Sequence, residues 1–185
     1  MQFNTLDDIK KEEYVGFLRV GDILDNRKLL KQIPHKTEHK KPIRGLYLIL
    51  RLNGKKPRFL VENPSGVKNI HNHSFSVAEL ESKWDKVKES VVVYLGQAGG
   101  VRGGKLSNSS LHRRLRQYMD AMKRTGKKQS SHNGGRAIWQ FDDYDDLVVC
   151  WKPVAEGIDP KLKEQQLIRE FREIYGDRPL ANRTT

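Results

Sequence analysis

One carboxylate near the C-terminal end of the chain stands where a charge is costly. The apolar stripe Leu167, Ile168, Phe171 and Tyr175 marks a helix. At about 100° per residue, Glu164 projects in line with Ile168, Phe171 and Tyr175, at spacings of four, seven and eleven. Glu170 and Glu173 project to the opposite side. A carboxylate turned toward the core needs a cation, a salt bridge or a functional site. A second segment offers complementary chemistry. Arg114 and Tyr118 are four residues apart, hence neighbours on one helix face, beside the stripe Leu111, Leu115, Met119 and Met122. Arg113 and Arg116 project away from that stripe. An arginine at the edge of a buried face either snorkels to solvent or presents its planar fork to a phosphate.

These side chains must be positioned by a small set of elements. The last helix begins at Asp159-Pro160, a capping residue followed by proline at the first helical position, and stops at Gly176. The Arg114 helix is expected from Ser109 to about Arg124, and a shorter helix around Val77–Val87. Gly45-Leu46-Tyr47-Leu48-Ile49-Leu50 and Ser90–Gly96 are continuous apolar runs of strand length, the pattern of strands covered on both faces. Asn53-Gly54 predicts a hairpin, with Arg58–Val61 as the returning strand. Ala137–Phe141 and Leu147–Trp151 read as two further strands around the acidic turn Asp142–Asp146. The expected fold is mixed α/β (α+β), a small and mainly antiparallel central sheet flanked by helices. Residues 1–40 read as a partly helical N-terminal extension ending in a basic linker, and residues 41–185 as the main domain with an insertion around 54–90.

Composition narrows the partners. The chain has 185 residues, a formal net charge of +12 and a sequence pI of about 9.8. That excess favours a polyanion, most often nucleic acid. The single cysteine, Cys150, excludes an intrachain disulfide and lies in an apolar run where a structural thiol is expected. No apolar stretch is long enough to span a bilayer, so the expectation is a cytoplasmic protein with no membrane partner. His35, His39, His71, His73 and His132 lack zinc-finger spacing. The glycine-rich loop Gly99–Gly104 lacks the Lys-Ser/Thr of a nucleotide-binding loop and is expected to shape the edge of a cleft. His132 and Arg136, in the run His132-Asn133-Gly134-Gly135-Arg136, are candidate substrate contacts.

Gly45-Leu46-Tyr47 and Tyr94-Leu95-Gly96 resemble the two strand signatures of the GIY-YIG endonucleases. The family places next a helix with the pattern Leu-x-x-Arg-hydrophobic-x-x-Tyr, and this chain has Leu111 to Tyr118 with Arg114 in the arginine position. A glutamate three residues before a Leu-Ile pair follows, here Glu164 before Leu167-Ile168, and then an asparagine shortly after a proline, here Asn182 after Pro179. The resemblance covers about residues 43–182. The two tyrosine motifs are farther apart than is usual, and Gln97 stands where many relatives carry a lysine or another polar residue.

The resemblance implies metal-assisted hydrolysis of phosphodiester bonds in DNA, in restriction, defence or repair. Glu164 would be the one protein carboxylate on Mg2+ or Mn2+, and Arg114 would neutralise charge on the phosphate. Tyr47 would orient or deprotonate the attacking water, while Tyr94 and Tyr118 would hydrogen-bond to that water or to the phosphate. Asn182 completes the catalytic set, with Gln97, His132 and Arg136 as substrate contacts. A palindromic target would imply a homodimer.

Overall fold

A computed structural model describes residues 1–62, 74–122 and 135–182. Its centre is a four-stranded sheet ordered β1-β6-β2-β3, in which every neighbouring pair is antiparallel. The strands are β1 (Val15–Arg19), β2 (Gly45–Leu50), β3 (Val92–Ala98) and β6 (Val148–Pro153). A separate two-stranded ribbon joins β4 (Val101–Arg102) to β5 (Lys105–Leu106). The helices are α1 (Leu6–Lys11), α2 (Val20–Asp25), α3 (Val77–Val87), α4 (Leu111–Met122), α5 (Gly135–Ile138) and α6 (Pro160–Tyr175). The mixed α+β class and the antiparallel sheet agree with the sequence reading. No helix among the described residues is long and apolar enough to cross a membrane.

β2 is central, and all six of its residues are buried. That is why its sequence is apolar without alternation: both faces are covered and both edges are paired. α6 forms as its punctuation predicts. The Asp159 side chain accepts from the Lys161 amide, Pro160 opens the first turn, and Gly176 closes the helix in the left-handed region at φ 76°. α4 is opened by Ser110, whose hydroxyl accepts from the Arg113 amide at 3.2 Å.

Residues 1–33, read from the sequence as an extension, supply β1 along β6 and bury Phe3, Ile9, Tyr14, Val20 and Ile23 in the same core as the rest of the chain. β1 bulges between Val15 and Leu18, and Gly16 takes φ +99° there. A Cβ on Gly16 would fall 2.2 Å from the Trp151 ring, so the bulge exists to let the backbone pass over that indole.

Two strand expectations are corrected. Asn53-Gly54 does not turn a hairpin, because both edges of β2 are already taken by β3 and β6. Only Phe59 touches extended partner backbone, as an isolated bridge to Phe141. The loop after β2 is organised instead by Arg51, 5% exposed. Its guanidinium donates to Asp143 at 3.0 Å through Nε, and to the carbonyls of Asn53 and Lys55 at 2.8 and 2.6 Å. Arg51 also lies over the rings of Trp84 and Phe141, at 5.3 and 5.9 Å. Ala137–Phe141 is not a strand either. It holds the last residues of α5 and a turn, all five buried. Gln140 ties this segment to its surroundings, donating to the carbonyls of Leu60 and Phe75 and accepting from the Phe75 amide. A short apolar run carries no period that separates strand from buried helical turn.

Removing one partner of a buried, fully bonded ion pair leaves the other charge stranded. Arg51→Ala is therefore expected to lower stability by about 3 kcal/mol, read as a fall in the urea midpoint with unchanged slope. Arg58→Ala, at an exposed pair with Asp142, is expected to change it by less than about 1 kcal/mol.

Candidate active site

Tyr47 and Gly96 are directly paired across β2 and β3. The missing side chain of Gly96 leaves the space that the Tyr47 ring fills: a Cβ there would stand 2.5 Å from Tyr47 Cζ and 2.7 Å from Tyr94 Cε1. Tyr94 lies two residues before Gly96 on the same face, and its ring centroid is 5.9 Å from that of Tyr47. α4 covers this face, since a Cβ on Gly45 would meet Leu111 Cδ1 at 2.9 Å. Thus Arg114 is delivered beside the tyrosines.

The Tyr47 and Tyr94 hydroxyls hydrogen-bond each other, and the Arg114 guanidinium donates to Tyr47. Burial pushes Tyr47, Tyr94 and Tyr118 above the ordinary tyrosine value. At Tyr47 the Arg114 charge is the main influence opposing burial. Tyr47 is closed off from solvent, whereas Tyr94 keeps 8% exposure.

Glu164 comes in from α6. Burial pushes its carboxyl up to about 7, against the opposing charges of Arg114 and then Lys161. Among the described residues, Glu164 forms no ion pair within 4 Å. Glu170, six residues further along α6, is half-buried and accepts from the Gln166 side chain at 3.0 Å. No group of three or more His, Cys, Asp or Glu side chains gathers anywhere among the described residues. A partly buried carboxylate with no ion-pair partner among the described residues suits a hard cation that keeps most of its waters. It does not suit zinc, which takes several nitrogen or sulfur ligands.

A polar cleft of about 310 Å³ opens beside Arg114, walled by Gln97, Gly99, Gly100, Ser107 and Gln117. Gln97 accepts from the Gly100 amide at 2.9 Å, which shapes this wall. Lys161 was not singled out by the sequence. A Cβ on Gly100 would stand 2.7 Å from Lys161 Cβ and 3.0 Å from Gln97 Nε2, so the lysine adjoins Gln97. The signal that could have found it is local: Lys161 is three residues before Glu164, on the same helix face.

Tyr118 and Asn182 take up positions behind the cleft. Tyr118 is fully buried and stacks on Trp139 at 4.7 Å. Asn182 spends both ends of its amide on one strand residue, accepting from the Leu95 amide at 2.9 Å and donating to the Leu95 carbonyl at 2.8 Å. With the Ala181 amide on the Val93 carbonyl at 2.9 Å, it holds the outer edge of β3 between Tyr94 and Gly96. His132, like His71 and His73, lies outside the described residues, and so does the Arg136 side chain.

Comparison of the chain with protein-family models, curated proteins and solved structures yields no match.

Gly96→Ala is expected to destabilise the fold by on the order of 2 kcal/mol, the range for overpacking a close-packed interior, and to alter the near-ultraviolet tyrosine spectrum as the Tyr47 ring is displaced. Glu164 supplies a pH test. Its folded-state pKa lies above the unfolded value, so the folded form holds the extra proton between about pH 4.5 and about pH 7. Stability linked to that proton is full below this window and lost as pH rises through it. In metal-free buffer Glu164→Gln should therefore gain on the unmodified protein across that window, by on the order of 2 kcal/mol after allowance for the side chain's partial exposure. Denaturant midpoints at successive pH values measure the difference, and parallel curves would show that Glu164 titrates normally.

Proposed function

We propose that the chain is a metal-dependent endonuclease of the GIY-YIG type that hydrolyses phosphodiester bonds in DNA. The observation that carries this reading is the mutual proximity of Tyr47, Tyr94, Arg114 and Glu164, from four separate elements, with Arg114 also lining a polar cleft. The basic character of the chain and the ordered motifs that bear these residues support it further. A Mg2+ or Mn2+ ion held by Glu164 and waters would supply Lewis-acid stabilisation of the phosphate.

The protein's own groups have distinct tasks. Arg114 binds the phosphate through a guanidinium held at one end by Tyr47. Tyr94, the more exposed of the two strand tyrosines and hydrogen-bonded to Tyr47, orients the attacking water. Tyr47, buried and with its pKa raised, stays a neutral phenol that accepts from Arg114 and holds that guanidinium in place, and the proton of the attacking water passes to solvent. As the water oxygen bonds to phosphorus, the opposite phosphorus–oxygen ester bond breaks and the departing oxygen takes a proton from solvent. Lys161, beside Gln97, provides the positive charge that Gln97 lacks. Tyr118 and Asn182 position the strand and the ring and do not touch the substrate.

Incubation of supercoiled plasmid with the purified protein and Mg2+ is expected to give nicked and linear products, abolished by EDTA. Glu164→Gln should lower the rate at least about 100-fold, with duplex binding retained. Lys161→Met should lower it by roughly 10-fold. Cleavage that survives in Glu164→Gln would remove that residue from the mechanism. Salt-sensitive binding without cleavage under any divalent metal would make the protein a nucleic-acid-binding module of this fold.

A further inference from the structure

The ribbon β4–β5 rises directly from the cleft wall. Its two ends are pinned. The Val101 amide donates to the Asp159 side chain at 3.2 Å, the Ser107 amide donates to the Gly100 carbonyl at 3.3 Å, and Arg44 Nε donates to the Ser107 carbonyl at 3.1 Å. Asp159 is also the cap of α6, so the ribbon is locked to the helix that carries Glu164. The tip is the reverse. Gly103 and Gly104 turn the chain with φ of +54° and +75°, the double positive φ of a tight hairpin turn, and among the described residues nothing lies within 4 Å of a Cβ built on either. The tip therefore projects from the body of the protein.

Its charge is one-sided. Arg102 and Lys105 are backbone partners in the register of the two strands. From Ser90 to Met119 the sequence has no acidic residue and carries Arg102, Lys105, Arg113, Arg114 and Arg116. Lys105 is exposed and makes no ion pair among the described residues. A ribbon with a pinned base, a glycine tip and a free lysine at Lys105 suits the major groove of B-form DNA, which admits two strands side by side, better than the undistorted minor groove, about 6 Å wide.

We propose that the β4–β5 ribbon enters the major groove of duplex DNA and thereby sets duplex over single-stranded nucleic acid as the substrate. This rests on the nuclease reading for the identity of the polyanion, and extends it to strandedness and groove. With the ribbon in the groove, its pinned base brings the adjoining phosphate backbone to the cleft between Arg114 and Lys161.

The test uses the full chain in EDTA, where no cleavage occurs, with a 30-base-pair duplex and one of its single strands as probes. Lys105→Ala is expected to weaken duplex binding roughly 3- to 10-fold and to reduce the slope of log affinity against log salt by about one, as for loss of one phosphate contact. Lys105→Glu should weaken it more, with single-strand binding unchanged in both variants. A dye that fills the major groove should compete with the unmodified protein, and a minor-groove ligand should not. The inference is overturned if Lys105→Glu binds duplex as tightly as the unmodified protein, if both probes are weakened equally, or if only the minor-groove ligand competes. Any of these outcomes beside intact Mg2+-dependent cleavage leaves the nuclease reading standing. The expected binding pattern without cleavage leaves the ribbon standing and removes the nuclease reading. Absence of any duplex binding removes both.

Discussion

The ring of Tyr47 occupies the volume that any side chain at position 96 would need. Because β2 is paired on both edges, this contact sits in the most rigid part of the sheet. It sets where the Tyr47 hydroxyl ends, and so where Tyr94 and Arg114 must be to bond it. The surrounding low-dielectric packing raises the cost of ionising the tyrosines, and the same packing strengthens the pull of Arg114 on Tyr47. A pair of surface tyrosines could not be biased in this way, since water would screen the arginine.

Around that fixed ring the remaining groups are held by backbone and capping bonds rather than by ion pairs. Asn182 clamps β3 at Leu95, one residue from Tyr94 and one from Gly96. Asp159 caps α6 and anchors the ribbon. Neither device consumes the charges of the cleft. Arg114, Lys161 and Glu164 remain uncommitted to one another, which leaves Glu164 with a carboxyl near neutrality. A salt bridge to Arg114 would be more stable and would remove the two groups from chemistry. The large ion-pair stabilisation lies elsewhere, at Arg51 and Asp143, on the loop that leaves the other end of β2.

The N-terminal segment matters to the same geometry. β1 covers the edge of β6, so that β6 in turn presents a fully paired strand to β2. Trp151 of β6 stands opposite Tyr47 in register and is packed beneath the Gly16 bulge. The Tyr47 strand is thus backed by residues far from it in the chain.

Much of the local structure was legible in the sequence. The Val77–Val87 helix, α4 and α6 declare themselves by helical period and by caps, and β2, β3 and β6 by unbroken apolar runs, because these signals depend on residues within a few positions of each other. The placing of Glu164 on the core side of α6 was readable for the same reason. What sequence could not decide was every question of competition between distant partners. Asn53-Gly54 is good turn chemistry, yet the edges of β2 were taken by strands from elsewhere in the chain. Val15–Arg19 became a strand because β6 offered an edge, and its bulge exists only because Trp151 lies beneath it. Lys161 gained meaning from Gly100, the raised pKa of Tyr47 from burial opposed by Arg114, and the pKa of Glu164 from burial. Period and capping are properties of neighbours along the chain. Edge occupancy, desolvation and charge proximity are properties of neighbours in space, and only the tertiary structure assigns those.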